Sequence, residues 1–309
     1  MRIGIDLGGT KTEIICLDSN NGKELYRHRV PSPKEYQASI ANMKQMVEQA
    51  ESTLGKKGTI GVAIPGTISL DTGLVKNANS TWLNGKPLDK DISQALGNRP
   101  VRCVNDANCF AVSEATDGAG QDAEVVFAVI IGTGTGAGIA VNKKPLSGRN
   151  GIAGEWGHNA LPWPKDEERP GPSCYCGLHG CMETWVSGPG MKSDFERVAG
   201  RAASTHDIWA LAGNGDADAE ACIQRYESRL ARGLANVINI LDPDVVILGG
   251  GMGNLNRLYK NIPQLWEEYV FSDFVHTKLV PPRHGDSSGI RGAAWLWNDE
   301  ESKPLKIPA

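Results

Sequence analysis

Three of the chain's seven cysteines fall inside eight residues, CYCGLHGC at 174–181. Cys174, Cys176 and Cys181 form a C-x-C-x4-C pattern after a proline-rich loop, PWPKDEERPGPS. Where thiols stay reduced, that pattern reads as metal ligation. Zinc takes four ligands at tetrahedral corners, so one more donor is needed. His179 lies inside the cluster, but wrapping four ligands from eight residues around one ion is cramped. His158, in EWGH ahead of the loop, is the better fourth ligand. The bland alternative, three incidental cysteines in a loop, leaves the ligand types and spacing without a cause. Cys16, Cys103, Cys109 and Cys222 are scattered and read as buried free thiols.

A second kind of chemistry lies in the glycine turns. DLGGTK (6–11) is at least a tight hairpin turn, and bare backbone beside Asp, Thr and Lys also suits a phosphate and its metal. It is not the P-loop pattern. GTGTGAG (132–138) formally matches a dinucleotide fingerprint, but such a fingerprint must open a helix, and the strand-like GIAV follows here. Either turn alone is weak; the pair in matching contexts points to a nucleotide. Asp106, in VND (104–106), is either an N-cap carboxylate or a general base for an attacking hydroxyl. Glu155 and Glu183 flank the cysteine cluster, as partners of the metal's ligands, as acceptors for sugar hydroxyls or, for Glu183, as a surface ion pair. Trp82, Trp156, Trp163 and Trp185 lie near these polar segments and offer a sugar platform, though such residues are more often core.

The elements that position these groups are legible in outline. The runs 2–7 and 12–18 read as a hairpin around GGTK, and 59–66 and 101–106 as further strands. Residues 36–55 read as a helix stopped by Gly55, and 107–116 as another. The stretch 124–146 repeats the opening plan of strand, Gly/Thr turn, strand. Apolar residues at helical spacing mark 217–241, 245–251 reads as a strand entering a Gly turn, 287–297 as a helix, and the last dozen residues as a frayed tail. Two lobes are expected, with a boundary near 117–123. The 309 residues are 40% hydrophobic and 22% charged, with net charge −4. That is ordinary globular composition without the basic footprint of a nucleic-acid or anionic-membrane binder. MRIGIDLGGT lacks the pattern of a signal peptide and no apolar run is long enough to span a membrane, so a cytoplasmic protein is expected.

In this order, DLGGTK, the IPG of 64–66, VNDAN, IGTGTGAG, EWGH, CYCGLHGCMET and LGGG resemble the ROK family of sugar kinases over nearly the whole chain. NANSTWLNGKPLDKDI and HGDSSGIRGAAWLW look most like its fructokinases of the manno(fructo)kinase type. The resemblance implies an α/β, two-lobed actin-like ATPase/hexokinase (ribonuclease-H-like) fold. Residues 1–120 would form a small lobe rejoined by helix 287–297, and 121–286 a larger lobe with a zinc loop at 158–181. It implies ATP and Mg²⁺ bound by Gly4, Asp6, Gly8, Gly9, Thr10 and Lys11, by Gly132, Thr133 and Gly134, and near the adenosine by Gly249 and Gly250. Asp106 would be the catalytic base, with Gly66, Asn79, Asn105, Glu155, His158 and Glu183 around the sugar. His158, Cys174, Cys176 and Cys181 would hold structural Zn²⁺. The implied reaction is phosphorylation of a hexose 6-hydroxyl, of fructose first and otherwise of N-acetylglucosamine, N-acetylmannosamine or glucose, by a homodimer. The family also contains sugar-sensing repressors with a winged helix ahead of the first phosphate segment; DLGGTK beginning at residue 6 and the retained Asp106 favour the enzyme. One departure stands out: Tyr175 occupies a position that is often glycine, and the ligand spacing is kept.

Overall fold

The computed structural model describes residues 1–285, 288–298 and 301. In chain order it runs β1 (Arg2–Leu7), β2 (Lys11–Leu17), β3 (Glu24–Pro31), α1 (Tyr36–Leu54), β4 (Thr59–Ile64), β5 (Thr67–Ile68), β6 (Val75–Lys76), α2 (Leu88–Ala95), β7 (Val101–Asn105) and α3 (Asp106–Asp117). Then follow β8 (Val125–Ile131), β9 (Thr135–Val141), β10 (Lys144–Pro145), α4 (Met182–Val186), α5 (Gly188–Ala199), α6 (Thr205–Gly213), α7 (Ala217–Leu241), β11 (Val245–Gly249), α8 (Asn256–Trp266), β12 (Lys278–Val280) and α9 (Ser288–Ala294). The described residues divide into two compact units, 1–122 with 138–153, 288–298 and 301, and 123–137 with 154–285. Residues 138–153 thus belong to the first unit, whereas the sequence reading assigns them to the second.

The first unit centres on a sheet ordered β3-β2-β1-β4-β7. β1 and β2 form the expected antiparallel hairpin, and β1, β4 and β7 run parallel. Side chains alternate across each strand, so each face needs its own cover. Ile3, Ile5, Ile60 and Val62 pack with Met43 and Val47 of α1 and Leu88 and Ile92 of α2. On the other face Ala63 meets Cys109 and Val112 of α3 and Ala293 of α9, and Ile15 and Leu17 meet Ile290 and Ala294. α9 lies so close that a Cβ on Gly4 would run into the Ile290 carbonyl, and one on Gly61 into the Ala293 carbonyl. Gly4 is therefore a buried packing glycine in mid-strand, which corrects its expected place in the phosphate segment. The predicted helix 287–297 is seen as α9; residue 287 and most of the expected frayed tail lie outside the described residues.

The second sheet is ordered β10-β9-β8-β11-β12, with β8, β11 and β12 parallel. The turn after β8 opens strand β9, as the rejection of a dinucleotide fingerprint requires, and β9 passes from the second unit into the first at Gly138. α7 is the long helix expected over 217–241. The Asp216 carboxylate accepts from Ala219 N, and the helix buries Ile223, Tyr226, Leu230, Leu234 and Ile238.

Candidate active site

In the first unit, the polar groups singled out by the sequence gather along the carboxyl edge of the parallel strands, where open α/β sheets bind ligands. The β1–β2 turn is tight: Gly8 N donates to the Lys11 carbonyl at 3.1 Å, and Ser32 Oγ donates to the Gly8 carbonyl at 2.6 Å. Thr10 and Lys11 are exposed on it. Ser80 Oγ lies 3.2 Å from where a Cβ on Gly9 would be, so the segment carrying exposed Asn79 borders the turn.

Asp106 is not the N-cap that one reading proposed. The cap is Asn105, whose Oδ1 accepts from Ala107 N at 3.0 Å and Asn108 N at 3.3 Å. Its Nδ2 donates at 3.0 Å to the carbonyl of Gly66, whose φ of 75° suits glycine. Asn105 thereby fixes the start of α3, and Asp106, the first helical residue, presents an exposed carboxylate there. Burial, and then the like charge of Asp106, push the Asp6 carboxyl up to about 6. Two acidic groups that feel each other's charge, Asp6 half-buried and Asp106 exposed, fit a dication, and Mg²⁺ with a nucleotide's phosphates suits that donor set.

In the second unit, Gly132 follows the last residue of β8 and Gly249 is the last of β11, two parallel strands. Gly132 N donates to the Gly134 carbonyl at 2.9 Å, and the Gly132 carbonyl accepts from Gly188 N at 2.9 Å. This joins the turn to the start of α5, whose cap is Ser187; α6 starts under Ser204. A cavity of about 610 Å³ opens here, lined among others by Gly132, Thr133, Lys192, His206, Trp209 and Gly251. Two helix N-termini, a bare glycine turn and a lysine beside an aromatic wall suit a nucleoside phosphate.

The cysteine cluster assembles in the same unit. Ligand atoms of His158, Cys174, Cys176 and Cys181 all lie within 4.8 Å of one another. Cys174 Sγ is 3.5 Å from His158 Nδ1, and Cys176 Sγ is 3.6 Å from Cys181 Sγ. One His and three Cys at such spacing match a tetrahedral zinc donor set. His179 stays outside the cluster and pairs with Ser173. Cys181 also starts α4, so Glu183 follows the cluster within one turn, and its Oε2 accepts from Thr135 N at 2.8 Å. Glu155 is exposed, immediately before the short 3-10 turn that carries His158.

The ROK family's sequence profile matches residues 2–300. The chain belongs to the ROK family. ROK relatives include the N-acetyl-D-glucosamine kinase of Pectobacterium atrosepticum, 36% identical over 96% of this chain and 98% of that protein. The enzyme of the same name from Escherichia coli O1:K1 / APEC is 37% identical over 96% and 99%. Among solved structures, a ROK hexokinase from Thermus thermophilus superposes with TM-score 0.84 at 29% identity, covering 96% of this chain and 97% of that one. A Streptomyces griseus ROK glucokinase, solved with glucose and AMPPNP, gives 0.71 at 26% identity over 96% and 98%. These likenesses establish the hexokinase-like α/β fold.

Other sequence expectations change within this ROK fold. Trp156 and Trp185 are 4% and 3% exposed and belong to the core, with Trp156 edge-on to Phe127, so neither is a sugar platform. Trp82 packs against the core of the first unit, and the Trp163 ring meets that of Tyr269 at a tilt of 36°. Sequence reasoning missed Lys192, His206 and Trp209, whose types carry no motif. It also missed Glu168, the buried acid of the proline-rich loop. The Glu168 carboxylate accepts from Arg229 Nε at 2.8 Å and from both terminal nitrogens of Arg232 at 2.8 Å. Arg229 also pairs with Asp194 at 3.0 Å. Two arginines three residues apart on the buried side of α7 were the available signal. No described helix is long and apolar enough to cross a membrane.

Proposed function

We propose that the chain is an ATP-dependent kinase that phosphorylates the 6-hydroxyl of N-acetyl-D-glucosamine. The observation that carries the chemistry is Asp106, an exposed carboxylate at the first position of α3, beside Asp6 and held in place by the Asn105 cap. The choice of sugar rests on the N-acetyl-D-glucosamine kinases that resemble the chain end to end. They replace fructose, the first expectation from sequence, with its stated alternative.

In this reading Asp106 accepts the proton of the attacking hydroxyl as its oxygen bonds to the γ-phosphorus and the bond to the β-phosphate oxygen breaks. The Gly8–Gly9 and Gly132–Gly134 turns, with Thr10 and Thr133, donate to phosphate oxygens, and Lys11 adds positive charge. Mg²⁺, held on the Asp6 side, would neutralise phosphate charge. Lys192, His206, Trp209 and the Gly249–Gly250 turn would bind the nucleoside. Glu155, His158, Glu183 and Asn79 would hold sugar hydroxyls. Zn²⁺ on His158, Cys174, Cys176 and Cys181 would be structural, closing the loop on which His158 and Glu183 stand.

The test is ADP release screened over N-acetylglucosamine, N-acetylmannosamine, glucose, mannose and fructose at matched concentrations. The highest kcat/KM with N-acetylglucosamine is expected. Another winning sugar would keep the kinase and overturn the substrate. No turnover with any sugar would overturn the kinase itself.

A further inference from the structure

Tyr175 stands between two residues of the metal-ligand cluster, Cys174 and Cys176. Its side chain is 83% exposed, which is unusual for an aromatic residue with nothing to do. The phenol oxygen lies 2.8 Å from His158 Nε2, and the two rings meet edge to face at 88°, with centroids 5.0 Å apart. The other nitrogen of that imidazole, Nδ1, faces Cys174 Sγ. The ring is thus divided between two tasks, Nδ1 toward the cysteines and Nε2 toward the phenol. A histidine that gives Nδ1 to a metal keeps its proton on Nε2. Nε2–H then donates, and the Tyr175 oxygen accepts.

A hydroxyl oxygen that accepts from His158 Nε2–H is also what a bound sugar would present, if His158 holds a sugar hydroxyl. Two oxygens cannot occupy that position together. Among the described residues the phenol makes this one hydrogen bond, and with so exposed a ring little opposes rotation to another χ1 rotamer. Glu155 stands three residues before His158 and Glu183 two residues after Cys181, so the acids assigned to the sugar border the same ligand cluster in the chain. We propose that Tyr175 is a built-in stand-in for a sugar hydroxyl: it caps His158 Nε2 in the sugar-free protein and is displaced when the sugar binds. The proposal rests on the sugar-kinase reading above, and it makes Tyr175 a residue that sets affinity by competing with the substrate.

The experiment is calorimetric binding of the best-turnover sugar to zinc-loaded wild type and Tyr175→Phe, without nucleotide, beside NMR of ¹⁵N-histidine-labelled protein. Removing the competing oxygen is expected to tighten sugar binding about two- to fivefold, the scale of one exposed hydrogen bond. Zinc stoichiometry should hold. The His158 Nε2–H resonance should differ between the two sugar-free proteins and converge when both are saturated with sugar. Weaker or unchanged binding by the variant would overturn the proposal while leaving the kinase reading intact, as would loss of zinc or a His158 resonance unmoved by sugar. A wild type that binds no sugar would overturn both.

Discussion

Glu183 Oε2 accepts a hydrogen bond from the Thr135 amide at 2.8 Å. One carboxylate thus ties the helix that follows the last cluster cysteine to the second glycine turn. The same oxygen lies 2.7 Å from where a Cβ on Gly134 would stand, so a side chain there would force the two apart. Within this unit, the groups assigned to sugar and those assigned to phosphate share a support.

That tie separates two substitutions. Glu183→Gln keeps an amide oxygen for Thr135 and loses the charge offered to a sugar hydroxyl. Glu183→Ala loses both. The glutamine variant should raise KM for sugar about tenfold with little change for ATP, while alanine raises both, since a hydrogen bond to a charged group is worth about 1.5–3 kcal/mol. Steady-state kinetics with each substrate varied in turn decides it. An alanine variant that moves only the sugar's KM would show that the tie does not set the nucleotide turn.

Asp106→Asn should lower kcat by about 10² to 10⁴, the usual range for loss of a general base. The helix and its cap persist, because Asn105 makes the capping bonds. Calorimetric Kd values for ATP and sugar should therefore stay near those of the wild type. Near-normal turnover would remove Asp106 from the mechanism.

Why were these groups readable, and others not? Short apolar, β-branched runs broken by glycine turns marked the strands and turns. The ligand types of the cysteine cluster gave the donor set, including the choice of His158 over His179. Asn105 and Asp106 are adjacent residues of nearly equal capping propensity, so only backbone geometry separates cap from exposed acid. Gly4 looks the same in sequence whether it faces a phosphate or a helix. The return of 138–153 to the first unit begins inside strand β9, where composition does not change. Glu168 meets Arg229 and Arg232 across more than 60 residues, beyond the reach of local pattern.

Opposite pKa shifts at Asp6 and Glu168 predict opposite pH effects. Asp6 moves up from 3.8 to about 6, so the folded state binds the extra proton between those values. Its contribution to stability falls as pH rises through that window. Burial pushes Glu168 up too, but hydrogen bonds from Arg232 and Arg229 outweigh it and hold the carboxyl at about 2. Its contribution is complete above about 4.5 and is lost as pH falls toward 2. Melting temperatures measured across pH should show Asp6→Asn removing the decline between pH 4 and 6. The Glu168→Gln variant should flatten the acid limb and lose about 3 kcal/mol at neutral pH, because two buried guanidiniums keep their charge without this partner. An unchanged acid limb in that variant would show that Glu168 is not the group that titrates.

The same buried ion pairs bear on metal removal. The proline-rich loop is fastened twice, by Glu168 to α7 and by the cysteine cluster to His158. Losing the metal should free only the second fastening, the one beside His158 and Glu183. Cys176→Ser, whose side chain is exposed, leaves the core packing intact, so its cost should be specific to the metal. Metal content by elemental analysis should fall below one ion per chain. Melting temperature should drop by several degrees, and the Kd for sugar should rise at least tenfold. The Kd for ATP should rise less, through the Glu183–Thr135 bond alone. Pairing Cys176→Ser with Glu168→Gln should then cost more than the sum of the single changes, since either fastening partly holds the loop when the other is gone. A metal-free wild type with full stability and sugar affinity would show that the cluster binds nothing the fold needs.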